Sequence, residues 1–225
     1  GLDLSSEQAR QLCTNALDKL IKLHQVDLDS TGLRKIAKGK GYTDRQVNGW
    51  CGRYEKAKTW NVFGAGSVMR WLQENKPENE TICLVHNDFR LDNLILNPED
   101  PTDIIGILDW ELATLGNPLM DLGNSLAYWI EAGDDKVPRA TKRQPSDYPG
   151  MLTRKEIIDY YCERTGTRFF AYANSVVFGL FRLAVIAQQI YYRYHHKQTN
   201  NKAFKNFWFL VNYLLWRCRR RIAKA

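Results

Sequence analysis

The amino-acid sequence predicts a mostly helical α+β body in which a few short strands interrupt a succession of helices. Apolar residues recur close to helical spacing at the start, at Leu12, Ala16, Leu20 and Leu23, and two long apolar helical segments, 172–196 and 202–221, lie near the end. Between them, 81–108 holds three short β-branched or aliphatic runs, TICLV, NLIL and IIGIL. Composition agrees: 44% hydrophobic and 12% aromatic residues over 225 positions can close a sizeable core, with one domain expected.

Each element follows from local chemistry. Ser5 and Ser6 offer N-cap hydroxyls to an amphipathic helix in QARQLCTNALDKLIKLHQVD. TGLRKIAKG is a shorter helical piece ending at Gly39, and TDRQVNGWCGRYEKAKTW opens with a Thr/Asp cap and sets Val47, Trp50, Tyr54 and Ala57 on one face. GSVMRWLQENKP is a helix stopped before Pro77. Three strands follow, the second closed by the turn residues of NPEDPTD. NPLMDLGNSLAYWIEAG begins a helix near Pro118 that runs to Gly133, VPRATKRQPSDYPG (137–150) is a proline-rich loop, and TRKEIIDYYCERTG carries Thr153 and Glu156 at capping-box spacing. The two apolar segments complete the chain as core helices.

The net charge of +7 arises from 32 Lys+Arg against 25 Asp+Glu, concentrated in Lys35–Lys40, Arg53–Lys58 and Arg217–Arg221. Such a balance favours anionic partners, phosphate among them, and solvated helix faces explain it equally well. No zinc-finger spacing, basic zipper or RNA-binding aromatic signature occurs, so nucleic acid is not an expected partner. The five cysteines are scattered without a Cys-x-x-Cys pair, as expected of reduced thiols. No apolar run of membrane-spanning length is read and Gly1-Leu2-Asp3-Leu4 starts no signal peptide, so the expectation is a cytoplasmic protein without a membrane partner. The chain opens without methionine, so a cut or processed piece of a longer protein is expected; its oligomeric state is left open.

The chemistry concentrates in LVHNDFRLDNLIL, Leu84 to Leu96. His86, Asp88 and Asn93 stand in the spacing His-x-Asp-x-x-x-x-Asn, and Asp109 follows the apolar run IIGIL. Phosphoryl transfer needs one carboxylate to accept or orient the proton of the attacking hydroxyl, and further oxygen donors to hold magnesium against nucleotide phosphates. Asp88 past one strand, Asn93 opening the next and Asp109 closing the third supply both if the strands lie side by side. Taken singly, Asp88, Asp92 and Asn93 read as ordinary turn residues; the full spacing favours the chemical reading.

HNDFRLDN, ILDWE and GNPLMDLG together resemble the aminoglycoside phosphotransferase and choline kinase-like superfamily, nearest to members found alone in bacteria and fused to acyl-CoA dehydrogenase domains in some eukaryotic proteins. The likeness continues through GYTDRQVNGWCGRYEKAKTWNV and VFGLFRLAVIAQQIYYRYHH. It implies that 1–225 form the C-terminal lobe of a protein-kinase-like fold, with ATP as donor, a small-molecule hydroxyl as acceptor, Asp88 as base, and Asn93 and Asp109 as magnesium ligands. By the same resemblance His86 shapes the catalytic loop and Asp121 accepts hydrogen bonds from it. Arg90 is a charge clamp for the transferred phosphate, or else a salt-bridge partner of Asp92 or Glu111. Ile95 lies beneath adenine, or is plain core; Glu111 binds metal or substrate, or neither. The resemblance also calls for a preceding lobe with a phosphate-covering loop and a lysine–glutamate pair, and nothing before Thr81 matches it, so this piece alone is expected to be inactive.

Two other classes compete: a pseudokinase or binding module, and a metal-dependent hydrolase, which would need further His or Asp ligands. The other histidines, His24, His195 and His196, lie far from the loop in sequence. For the acceptor, helices 172–198 and 202–222 carry aromatics with Gln188, Gln189, Arg182 and Arg193 and almost no acid. That favours a neutral or anionic molecule with an apolar portion, although core packing accounts for the aromatics equally well.

Overall fold

The computed structural model describes residues 3–76, 80–167 and 172–225. Helix α1, Ser6–His24, starts from a complete capping box: Ser5 Oγ accepts the Gln8 N–H at 3.1 Å and the Gln8 side chain accepts the Ser5 N–H at 2.9 Å. The helix expected in TGLRKIAKG is only a 3-10 turn at Leu33–Ile36, because it buries no side chain and so has nothing to offset the cost of nucleation. Helix α2, Tyr42–Lys56, is not capped by its own Thr and Asp. Gly41 holds the N-cap position, and the Glu80 carboxylate accepts the N–H groups of both Tyr42 and Thr43. Helix α3 spans Ala65–Glu74; its expected stop at Pro77 lies outside the described residues.

The strands form two antiparallel pairs. In one, β1 (Cys83–Val85) pairs with β4 (Thr114–Gly116), and in the other β2 (Leu94–Leu96) pairs with β3 (Ile104–Ile107), with Leu94 opposite Ile107. Strand β4 escaped the sequence reading because Thr-Leu-Gly is too short for a period to show. Helix α4, Pro118–Ala127, takes its N-cap bond from the Asn117 side chain. It stops well before Gly133 because the chain turns to the 144–152 segment, where the Trp129 indole N–H donates to Leu152 O and Ile130 N–H to Ser146 Oγ. The proline-rich loop contains a short helix, α5, Lys136–Ala140, with Pro138 in its first turn, where a missing N–H costs nothing. Helix α6, Arg154–Thr165, has the expected Thr153/Glu156 capping box and ends at the left-handed Gly166.

Helices α7 (Tyr172–His195) and α8 (Phe207–Ile222) pack along each other, and α4 lies against α7. Phe178, Phe181, Val177 and Val185 of α7 are buried at the centre. Contrary to the expectation from sequence, Ala173–His195 is long and apolar enough to cross a membrane, but most of it is buried inside this fold, so core packing accounts for its composition. Helices α4 and α7 touch backbone to backbone: a Cβ on Gly179 would lie 2.1 Å from Gly123 O, and one on Gly123 would lie 2.2 Å from Ser175 O. Gly179→Ala should therefore force the helices apart at a cost of about 1–3 kcal/mol. Calorimetry should show a melting temperature lower by roughly 2–10 °C, and an unchanged value would mean the crossing is looser than this.

Candidate active site

Strand β1 delivers the chain into the 86–93 loop, whose conformation is fixed by groups from several other parts of the fold. Asp121, fully buried on α4, accepts the backbone N–H of His86 on Oδ2 and that of Asn87 on Oδ1, both at 2.7 Å. His24 at the end of α1 places Nε2 3.2 Å from Asp121 Oδ2, with Nδ1 2.7 Å from the Tyr161 hydroxyl. Asn87 adopts a left-handed φ of 66°, which asparagine tolerates better than most residues. It is held there by the Tyr42 hydroxyl donating to Oδ1, by its own Nδ2 donating to Leu112 O, and by Arg182 donating to its carbonyl at 2.9 Å. The imidazole of His86 is buried, and Nδ1 accepts the Asp88 N–H, so Nε2 carries the hydrogen and donates to Leu108 O at 2.8 Å. Both ring nitrogens are thus committed to loop structure.

This network positions Asp88 and Asn93. The Asp88 side chain is 18% exposed, enough to reach a ligand while staying packed. Asn93 lies in a 3-10 turn, Leu91–Asn93, rather than opening β2, and its Nδ2 donates to Asp88 O at 2.8 Å and to Asp88 Oδ2 at 3.3 Å. With the amide nitrogen engaged, Oδ1 makes no hydrogen bond among the described residues and remains an oxygen donor. Asp109 follows β3, exposed, with a left-handed φ of 65°. Its neighbour Leu108 is tied twice to the loop, donating its N–H to Asn93 O at 2.8 Å and accepting from His86. The Asp109 segment therefore lies alongside Asn93 and Asp88.

Among the described residues, no three His, Cys, Asp or Glu side chains gather as a ready-made metal cage. Magnesium seldom needs one: it is commonly held by one or two protein oxygens plus phosphate oxygens and water, a donor set that Asn93 Oδ1 and the Asp109 carboxylate fit. Among the described residues the ligands a hydrolase would require are not assembled, since His24 serves Asp121, and His195 and His196 lie tilted against Tyr191 and Tyr192.

Arg90 chooses between the partners the sequence offered. Its Nη2 is 3.1 Å from Asp92 and its Nε 3.5 Å from Asp88, while its guanidinium lies over the Tyr128 ring at 4.9 Å. Buried Nε makes no hydrogen bond. Glu111 is exposed and without a hydrogen bond or ion pair among the described residues. Ile95 on β2 is 40% exposed and lies over Gly106, so it is not a core residue.

Beside Arg90, a cavity of about 510 Å³ opens between the end of α4, the 138–143 segment and helices α7 and α8. Its walls combine aliphatic side chains such as Ile186, Ile190 and Leu210 with Arg90, Lys142, Arg143 and Arg217, and include no acid. The polar residues expected to face an acceptor do not line it. Gln188 is buried and donates to Ala57 O and Thr59, Arg182 serves Asn87, and Gln189 and Arg193 border a separate cleft.

Helices gathered around two antiparallel strand pairs make this a kinase-like fold. A Ralstonia eutropha protein designated an aminoglycoside phosphotransferase superposes with a TM-score of 0.85 at 25% identity, over 99% of this chain and 68% of that one. Choline kinase LicA from Streptococcus pneumoniae shares the fold with a TM-score of 0.59 at 11% identity, over 100% of this chain and 67% of its own. The family described as phosphotransferase enzyme family matches residues 1–156, and the chain belongs to it. Acyl-CoA dehydrogenase family member 10 of Mus musculus is 35% identical over 195 residues, 86% of this chain; the chain spans only 18% of that relative's length.

Proposed function

We propose that this chain is the catalytic lobe of an ATP- and magnesium-dependent phosphotransferase that phosphorylates a hydroxyl group of a small molecule. The observation that carries the reading is the arrangement of Asn93, whose amide nitrogen is engaged by Asp88 while its oxygen is left unbonded beside the Asp109 segment. Asp88 accepts or orients the acceptor's proton, and Arg90, already beside Asp88, faces the transferred phosphoryl charge. Asn93 and Asp109 hold the cation, Ile95 offers an apolar contact to adenine, and His86 and Asp121 keep the loop in shape. Bound magnesium supplies neutralisation of the phosphate charge.

The lysine and phosphate-covering loop belong to a preceding lobe in a longer protein, so this chain alone should bind ATP weakly and transfer little phosphate. The acyl-CoA dehydrogenase relatives and the acid-free cavity favour a hydroxyacyl compound as acceptor. The five free cysteines suit a reducing, cytoplasmic setting. A pseudokinase that only binds its ligands is the competing reading, and the retained Asp88, Asn93 and Asp109 speak against it. The deciding experiment is nucleotide binding and ATP turnover by the longer protein with magnesium and a panel of hydroxylated small molecules, hydroxyacyl thioesters included. Turnover with one of them is the expected result; failure to bind nucleotide would hand the site to the binding-module reading.

A further inference from the structure

Arg217 and Tyr213 line both the 510 Å³ cavity and a second one of about 320 Å³, so the two cavities meet at these side chains. Arg217 is only partly exposed, yet among the described residues its guanidinium makes no hydrogen bond or ion pair. The two nearby carboxylates are already engaged: Arg154 grips Asp134 at 2.6 and 2.7 Å, and the Tyr213 hydroxyl donates to Asp135 at 2.8 Å. Burial, and then the like charge of Arg154, push the Arg217 guanidinium below its usual range. Arg220, Arg221 and Lys224 border the same second cavity, so the cationic excess is not cancelled locally.

A partly desolvated cation with idle donors is stabilised by an anion that can accept from it, and a planar guanidinium suits a carboxylate or phosphate best. We infer that Arg217 anchors an anionic group at the far end of the acceptor, whose aliphatic middle lies along Ile186, Ile190 and Leu210 and whose hydroxyl points towards Arg90. The acceptor is then an amphiphile with a hydroxyl and an anion separated by an apolar segment. The hydroxyl end rests on the kinase reading of the site; the anion end does not.

Calorimetric binding to this chain separates the two. With 8-hydroxyoctanoate and 1,8-octanediol as probes, the acid should bind about tenfold or more tightly than the diol, the scale of one charge-assisted pair. Arg217→Gln should abolish that preference and leave diol binding unchanged, while Arg217→Lys, which keeps the charge and the packed stem, should retain part of it. Octyl phosphate should compete with the acid more strongly than 1-octanol does, and equal competition by the two would count against an anion site. Equal affinity for acid and diol in the native chain, binding of neither, or an undiminished preference in Arg217→Gln would overturn the proposal. Loss of the preference would leave the kinase reading intact, and absence of ATP turnover would leave the preference intact, so the two failures are distinguishable.

Discussion

Replacing Asp121 with alanine should lower the melting temperature by on the order of 10 °C, the largest stability effect expected from one side chain at the site. The carboxylate is fully buried, accepts two backbone N–H groups at 2.7 Å and faces His24. Its removal strands those donors in the buried interior. Hydrogen bonds to a charged group contribute about 1.5–3 kcal/mol each, and breaking a buried charged network costs roughly 3–5 kcal/mol. For a chain of this size, about 3 kcal/mol corresponds to roughly 6–12 °C. Asp121→Asn, which keeps one acceptor, should fall between the two. A shift of less than about 2 °C in thermal unfolding of Asp121→Ala would show that the loop is held by other means.

Asp88→Ala should act in the opposite manner, with little effect on folding and a large one on chemistry. The side chain is partly exposed, and its structural ties are contacts with Asn93 and Arg90 that could relax to solvent. In the longer protein, ATP turnover should fall by at least about a hundredfold, the scale lost with a positioned base. Steady-state kinetics with magnesium and the best acceptor would read this directly, and full activity in Asp88→Ala would remove Asp88 from the assigned role.

How much of this was legible beforehand depends on whether the signal is local. The capping boxes at Ser5 and Thr153, the three strands of 81–108 and the spacing of Asp88, Asn93 and Asp109 lie within short stretches and can be read directly. The Glu80 cap on α2, the bond of His24 to Asp121, that of Arg182 to the loop, and buried Gln144, which accepts the Leu91 N–H at 2.8 Å, join residues far apart in the chain and leave no periodic trace. One clue did exist: Arg182 is the single charge within VVFGLFRLAVIA, and a lone cation in so apolar a helix needs a buried acceptor, here Asn87 O. The end of α4 was misjudged because tertiary bonds to the 144–152 segment, and not local propensity, decide where the chain turns, and the helix at Lys136–Ala140 was read as loop because of Pro138, which a first turn accommodates.

Leu108 joins the loop bearing Asp88 to the segment bearing Asp109, and it does so only through its own N–H and carbonyl. Its side chain is 49% exposed and takes no part. The relative placement of Asp88 and Asp109 is therefore written in main-chain amides, a code that any amino acid but proline can carry at position 108. A pattern built from side-chain identities passes over this residue, although deleting its one amide hydrogen would remove one of the two bonds that join the halves of the site.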